Sequence, residues 1–391
     1  MSLPPLSARS QRIQPFQVMA LLARARALEA AGRDVIHMEI GEPDFPTADP
    51  VRDAGIRALT AGHTGYSPAA GLPALREAIA GHYQTRYGVS VDPYRILITP
   101  GASGALVVAM AMLADPGRHV LLPDPGYPCN RNFVECVDAV PRAVRVDAAS
   151  DYQLTPALAE AACDADTAAL MVGSPGNPTG TLARAADLAG LADLARRRNL
   201  GLVVDEIYHG LDYADPPAQA LRHAPDAIVV NSFSKYFGMT GWRLGWMVVP
   251  TGWVPAAEKL IQNLFISAST PAQHAACACF TPAAMATFEA RRAAFHERRD
   301  TLLPALRELG FRIPGNPAGA FYLYADVSGL CDDSFAFAES LLERAGVAIT
   351  PGLDFERTAP EAHVRFAYTT DTGRLGEAVE RIRGYLRAGG D

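Results

Sequence analysis

Chemistry in this sequence is most concentrated around one lysine set between two phenylalanines: Ser232-Phe-Ser-Lys235-Tyr-Phe-Gly-Met-Thr-Gly-Trp-Arg243-Leu-Gly245. An amine among apolar neighbours sheds its proton more readily than an exposed one, and the free amine attacks carbonyl carbon. The flanking glycines let backbone approach a ligand closely. Arg243 carries a planar fork of donors suited to a phosphate or carboxylate. Four further segments carry polar residues beside apolar runs. Asp205 closes Val-Val-Asp-Glu-Ile-Tyr208, where an aspartate taken alone reads as a turn residue or helix cap. Ser174-Pro-Gly-Asn177-Pro-Thr-Gly180, taken alone, reads as a turn. Gly101-Ala-Ser103 opens a helical stretch, whose first N–H groups and partial positive charge suit an anion. Arg365 alternates with apolar residues in His363-Val-Arg-Phe-Ala367, a pattern that usually faces solvent.

These residues need elements to hold them. Short apolar runs recur at Arg95–Ile98, His119–Leu122, Ala168–Val172, Leu200–Val204, Ala227–Val230 and Trp246–Val249. Several are rich in Val, Ile and Leu on both faces, as strands covered by helices on each side must be. Helices are expected between them at Pro73–Tyr87, Ser103–Ala114 and Leu182–Arg198. Alternating strand and helix predicts an α/β sheet, mostly parallel. The texture changes after about residue 285. A charged helix is expected over Glu289–Arg307, stopped by Gly310. Strands follow at Ala320–Ala325 and His363–Ala367, with helices at Ser334–Ala345 and Thr372–Arg387, making a smaller α+β unit.

The whole chain sets bounds. At 391 residues it exceeds one ordinary core, so two domains are expected. Hydrophobic residues make up 49% and charged residues 20%, as in compact globular proteins. A formal charge of −7 argues against nucleic acid as a partner. The six cysteines show neither a disulfide framework nor zinc-ligand spacing, and Cys277 and Cys279 read as small residues of a packed helix. No metal site is expected. Met1–Ser10 has no apolar core of signal-peptide length, and the apolar stretch Gly104–Ala114 is too short to span a membrane. The expectation is a soluble, cytoplasmic protein.

The lysine segment resembles the pyridoxal-phosphate attachment motif of class I/II aminotransferases, and satisfies that family's Ser-x-Ser-Lys-x-x-Gly-x-x-Gly-x-Arg spacing throughout. The likeness runs from Gly41-Glu-Pro-Asp-Phe45 to Arg365. It implies pyridoxal 5′-phosphate as cofactor, held by Lys235 as a Schiff base, with Lys235 then moving a proton between substrate Cα and cofactor C4′. It implies Asp205 against the pyridine nitrogen, keeping the ring protonated as an electron sink. Tyr208 and Asn177 would hold the cofactor's O3′. Backbone amides of Ala102 and Ser103 after Gly101, the Ser103 and Ser232 hydroxyls, Ser234 and Arg243 would line the phosphate site. Tyr127, in Pro125-Gly-Tyr-Pro128, would stack on the pyridine. Tyr66, in Thr64-Gly-Tyr-Ser67, would reach a neighbouring subunit's phosphate, so a homodimer with shared sites is expected. Arg365 would grip the substrate carboxylate, with the Gly41 backbone, Tyr127 and Asn177 beside it. The implied architecture is a large domain at residues 46–285, a mostly parallel seven-stranded sheet sandwiched by helices. Residues 1–45 and 286–391 would form the small α+β domain.

Some aspartate-type relatives place a lysine before proline near the N-terminus, followed by a threonine, to meet a second substrate carboxylate. Here that stretch is Gln14-Pro-Phe-Gln-Val18, with neither residue and with added apolar bulk from Phe16. Burying an unpaired carboxylate is costly. The expected donor is therefore a neutral or hydrophobic L-amino acid, unless an arginine such as Arg12 takes the missing role. The acceptor is a 2-oxo acid, 2-oxoglutarate among those allowed. The alternative is a C–S or related β/γ-lyase on the same fold, marked by release of ammonia and pyruvate without an acceptor. A non-enzymatic regulator would carry a winged-helix extension ahead of the match, for which the first twenty residues leave no room.

Overall fold

The computed structural model describes residues 4–13, 15–213 and 218–389. The N-terminal segment supplies β1 (Ile36–His37). The central sheet takes β2 (Ile96–Thr99), β3 (His119–Asp124), β4 (Val140–Arg145), β5 (Thr167–Gly173), β6 (Gly201–Asp205), β7 (Ile228–Ser232) and β8 (Gly245–Val248). Their order across the sheet is β2-β8-β7-β6-β5-β3-β4. β8 runs antiparallel to both β2 and β7. The other pairs are parallel. The expected α/β architecture with a seven-stranded, mostly parallel sheet is what the chain adopts.

Period-two alternation sends neighbouring side chains into two separate apolar clusters. Ile96, Ile98, Val204 and Val229 pack into one, with Leu188, Leu191 and Leu194 of the helix Ala185–Arg198. Leu97, Val203, Ile228 and Val230 pack into the other, under the helices Gly101–Leu113 and Val254–Phe265. Both faces of these strands are therefore dry, which explains their continuous apolar runs. β4 escaped the sequence reading because it is an edge strand in which Val144 alone is buried. The expected helix over Pro73–Tyr87 ends as a helix at His82. A π-turn over Tyr83–Tyr87 follows, closed by Gly88 in the left-handed region at φ 62°.

The charged helix is longer than expected, spanning Pro282–Glu308 for 27 residues. The Thr281 side chain caps it, and Phe288, Phe295 and Leu302 mark its buried stripe at seven-residue spacing. Beyond it lie β9 (Tyr322–Asp326), β10 (Val347–Ala348), β11 (Thr350–Pro351) and β12 (His363–Ala367). A three-stranded sheet has the order β11-β12-β9. β1 pairs parallel with β10, Ile36 opposite Val347, which ties the N-terminal segment to the C-terminal elements. Among the described residues, no helix is long and apolar enough to cross a membrane.

Candidate active site

The chain turns at the carboxyl ends of β2, β3, β5, β6 and β7 gather on one edge of the central sheet, where open α/β sheets place their ligands. They bring Ser103, Tyr127, Asn177, Asp205 and Lys235 to one cavity of about 510 Å³, which Arg365 and Gly41 close from the other side.

Lys235 follows β7 and is partly buried. Its Nζ donates to the Gly41 carbonyl at 2.7 Å. Burial, with Arg365 and Arg243 adding to it, depresses the amine to about 8, so a useful fraction is neutral near pH 7. Asp205, at the end of β6, is 6% exposed and accepts from the Ile207 N–H at 3.0 Å. Burial, aided by the adjacent Glu206, pushes its carboxyl up to about 7. A carboxylate held this far from water calls for a cation in the cavity beside it. Glu206 is turned away, accepting from Ala220 N–H at 2.6 Å and from Gln219.

Asn177 sits in the turn after β5, between cis peptides at Ser174–Pro175 and Asn177–Pro178. Its Oδ1 accepts from Arg365 Nη1 at 2.9 Å, leaving its amide nitrogen to donate. Arg365 is 5% exposed, opposite to the solvent-facing role that its strand pattern alone suggests. Its Nη2 donates to the Glu39 carbonyl at 2.6 Å, and its guanidinium lies over the rings of Tyr322 and Phe355 at 4.3 and 4.6 Å. Its buried Nε has no partner among the described residues, a donor awaiting an acceptor. The Gly41 carbonyl thus serves Lys235, and Glu39 supplies the backbone contact to Arg365.

The helix Gly101–Leu113 begins at the cavity wall. Gly101 has φ 71°, and a Cβ there would lie 2.6 Å from Arg243 Nη2. Glycine therefore lets the guanidinium reach the helix start. Arg243 Nη1 also approaches Ser234 Oγ at 3.5 Å, and Ser232 Oγ accepts from the Ser234 N–H at 3.0 Å. Among the described residues, no carboxylate pairs with Arg243. Its Nη1 donates to the Thr240 carbonyl at 3.0 Å, and helix amides, hydroxyls and an arginine not neutralised by an acid suit an anion.

Tyr127 borders the cavity and is 37% exposed. Tyr66 is 84% exposed and does not line it. Phe16, Val18 and Met19 form part of the wall. Gln14 lies outside the described residues. Arg12 stands 3.9 Å from Asp138 rather than at the cavity. Sequence reading missed Tyr322, whose hydroxyl meets that of Tyr208 at 2.9 Å. The alternation Tyr322-Leu-Tyr324 marks a strand face, but nothing local tells which partner that face meets. Glu39 and Phe355 were missed for the same reason.

Residues 33–382 match the family Aminotransferase class I and II. The chain is 38% identical to a valine–pyruvate aminotransferase of Mycobacterium tuberculosis, over 96% of this chain and 97% of that protein. It is 37% identical to an aspartate/prephenate aminotransferase of Thermus thermophilus, over 96% and 97%. A crystal structure of an aminotransferase from Mycobacterium tuberculosis superposes with a TM-score of 0.95 at 37% identity, covering 99% of this chain and 100% of that one. Likeness of this extent, on a cavity with an amine, a buried carboxylate and a buried arginine, fixes the assignment: the chain belongs to the class I and II aminotransferases and is an enzyme of amino-group transfer.

Proposed function

We propose that this enzyme holds pyridoxal phosphate through Lys235 and moves the amino group of a neutral or hydrophobic L-amino acid to a 2-oxo acid. The observation that carries the reading is Asp205: a carboxylate 6% exposed that makes no ion pair among the described residues, in one cavity with the amine of Lys235. Members of the family are pyridoxal-phosphate-dependent. When bound, that group supplies an aldehyde for amines to condense with and a protonated ring that draws electrons from the substrate Cα.

The residues present fit it. Asp205 would keep the pyridine nitrogen protonated, and Tyr127 would cover the ring. Asn177 and Tyr208 would donate to the phenolic oxygen. The amides of Ala102 and Ser103, the hydroxyls of Ser103, Ser232 and Ser234, and Arg243 would hold the phosphate. Tyr66 is assigned to a neighbouring copy, in a dimer with shared sites. Arg365 binds the substrate carboxylate, using its unpartnered Nε. Lys235 would serve as the base for the substrate Cα proton. The same reading divides the chain into a large domain, 46–285, and a small one from 1–45 and 286–391.

Substrate class follows from the rest of the wall. Phe16, Val18, Met19, Tyr152 and Phe355 are uncharged, and the basic lining residues, Lys235, Arg243 and Arg365, already have tasks. Asp354 also faces the cavity, its oxygens accepting from the Gln17 and Val18 N–H groups at 2.8 and 2.9 Å. Among the described residues, a second substrate carboxylate would meet this acid and no further cation. Single amino acids added to the cofactor-loaded enzyme without acceptor test this. Valine, leucine or methionine should bleach the lysine-bound absorption band and release the matching oxo acid, at least about 100-fold more efficiently than aspartate. An aspartate preference refutes the substrate class. Catalytic pyruvate and ammonia from a β-substituted amino acid, with no bleaching by other donors, would establish the lyase instead.

A further inference from the structure

Tyr322 is a buried cavity residue to which the scheme above gives no task. It opens β9 and is 1% exposed. Its hydroxyl lies 2.9 Å from that of Tyr208, with the two rings edge to face at 5.7 Å. A Cβ on Gly41 would sit 1.9 Å from the Tyr322 oxygen, so the hydroxyl rests directly on the backbone whose carbonyl accepts from Lys235. Arg365 covers the Tyr322 ring at 4.3 Å. Arg365 and Tyr127 also face Tyr208, and the Lys235 Nζ lies 5.9 Å from the centre of its ring.

A phenol has one proton to give. If Tyr208 spends its proton on an acceptor in the cavity, its oxygen keeps the contact with Tyr322 only by accepting. Tyr322 must then donate, and a donor chain polarises each successive bond. We propose that Tyr322 is a positioning residue that fixes the direction of the Tyr208 hydroxyl and strengthens its donation to the phenolic oxygen of bound pyridoxal phosphate. This rests on the cofactor reading given under Proposed function. Two coupled hydroxyls, one from β9 and one from the turn after β6, thereby join the sheet bearing Arg365 to the cofactor site.

The test is the pH midpoint at which the visible band of the cofactor-loaded enzyme changes colour, in Tyr322→Phe, Tyr208→Phe and the double variant. Donation to the phenolic oxygen stabilises the form in which that oxygen's negative charge is not offset by a proton on the linking nitrogen. Losing the Tyr322 hydroxyl should therefore raise the midpoint, by roughly 0.1–0.7 pH unit if cooperativity strengthens a charge-assisted bond by 10–30%. The Tyr208→Phe shift should be larger, and adding Tyr322→Phe to it should change nothing more. An unchanged or lowered midpoint in Tyr322→Phe, or a full shift persisting in the Tyr208→Phe background, overturns the proposal. Should Tyr322→Phe not fold, Gly41→Ala displaces the same hydroxyl and must raise the midpoint; a wild-type midpoint there also overturns it. A wild-type enzyme with no titrating visible band would sink the cofactor reading instead.

Discussion

Gly101→Ala separates backbone strain from a lost ligand contact. Gly101 has φ 71°, in the left-handed region that costs an L-residue roughly 1–2 kcal/mol. An alanine Cβ would also lie 2.6 Å from Arg243 Nη2, forcing the guanidinium off the start of the helix Gly101–Leu113. If Arg243 holds the cofactor phosphate there, a charge-assisted hydrogen bond worth about 1.5–3 kcal/mol is lost or misaligned. The cofactor Kd should then rise about 10–150-fold. Gly117→Ala is the control: φ is 80°, nothing lies within 4 Å of its added Cβ, and it precedes β3 at the opposite edge of the sheet. Both variants should lower the cofactor-free Tm by roughly 1–4 °C. Only Gly101→Ala should weaken the cofactor, read by spectrophotometric titration of the cofactor-free protein. A Kd within threefold of wild type, beside a lowered Tm, would refute the placement of the phosphate at this helix start.

Three further outcomes are expected. Arg365→Lys keeps a charge but loses the fork that reaches both Asn177 and the Glu39 carbonyl, so kcat/KM should fall roughly 100-fold or more, about 3 kcal/mol, with the visible spectrum retained; near-normal kcat/KM would remove Arg365 from carboxylate binding. Asp354→Ala removes the acceptor of the Gln17 and Val18 N–H groups, costing the helix Gln17–Ala30 about 1–2 kcal/mol. Amide exchange should speed up at those two residues and not in the helix Thr372–Arg387. Burial depresses Lys235 to about 8, and the neutral amine is the reacting form, so the rate of pyridoxal phosphate capture should climb with pH and level off above about 8. A rate still rising tenfold per unit between pH 9 and 10 would mean an ordinary, exposed lysine.

What could be read from the sequence was what is local. Strands buried on both faces announce themselves as apolar runs, and β12 and the helices Ser334–Ala345 and Thr372–Arg387 fall where patterning puts them. Lys235 and Arg243 share one motif, whose spacing is set by a single strand and turn. β4 stayed hidden because an edge strand with one buried side chain carries no apolar run. The antiparallel insertion of β8 between β2 and β7 was equally hidden, since alternation reports faces and not neighbours. The Tyr208–Tyr322 contact spans 114 residues and the Arg365–Glu39 contact 326, distances over which one sequence gives no pairing signal. Sequence therefore gives no sign that the Glu39 carbonyl is the backbone partner of Arg365.

Arg365 bonds to groups 188 and 326 residues away. During synthesis it emerges long after Gly101, Asn177, Asp205, Lys235 and Arg243. On the roles proposed above, a nascent chain that has passed β8, the strand joining β2 to β7, contains every group assigned to the cofactor within one subunit, while Arg365, assigned to the substrate carboxylate, is still to come. Order of translation therefore separates the two proposed sets of groups in time: those assigned to the cofactor are made first, and the one assigned to the substrate carboxylate arrives only with the last strand, β12.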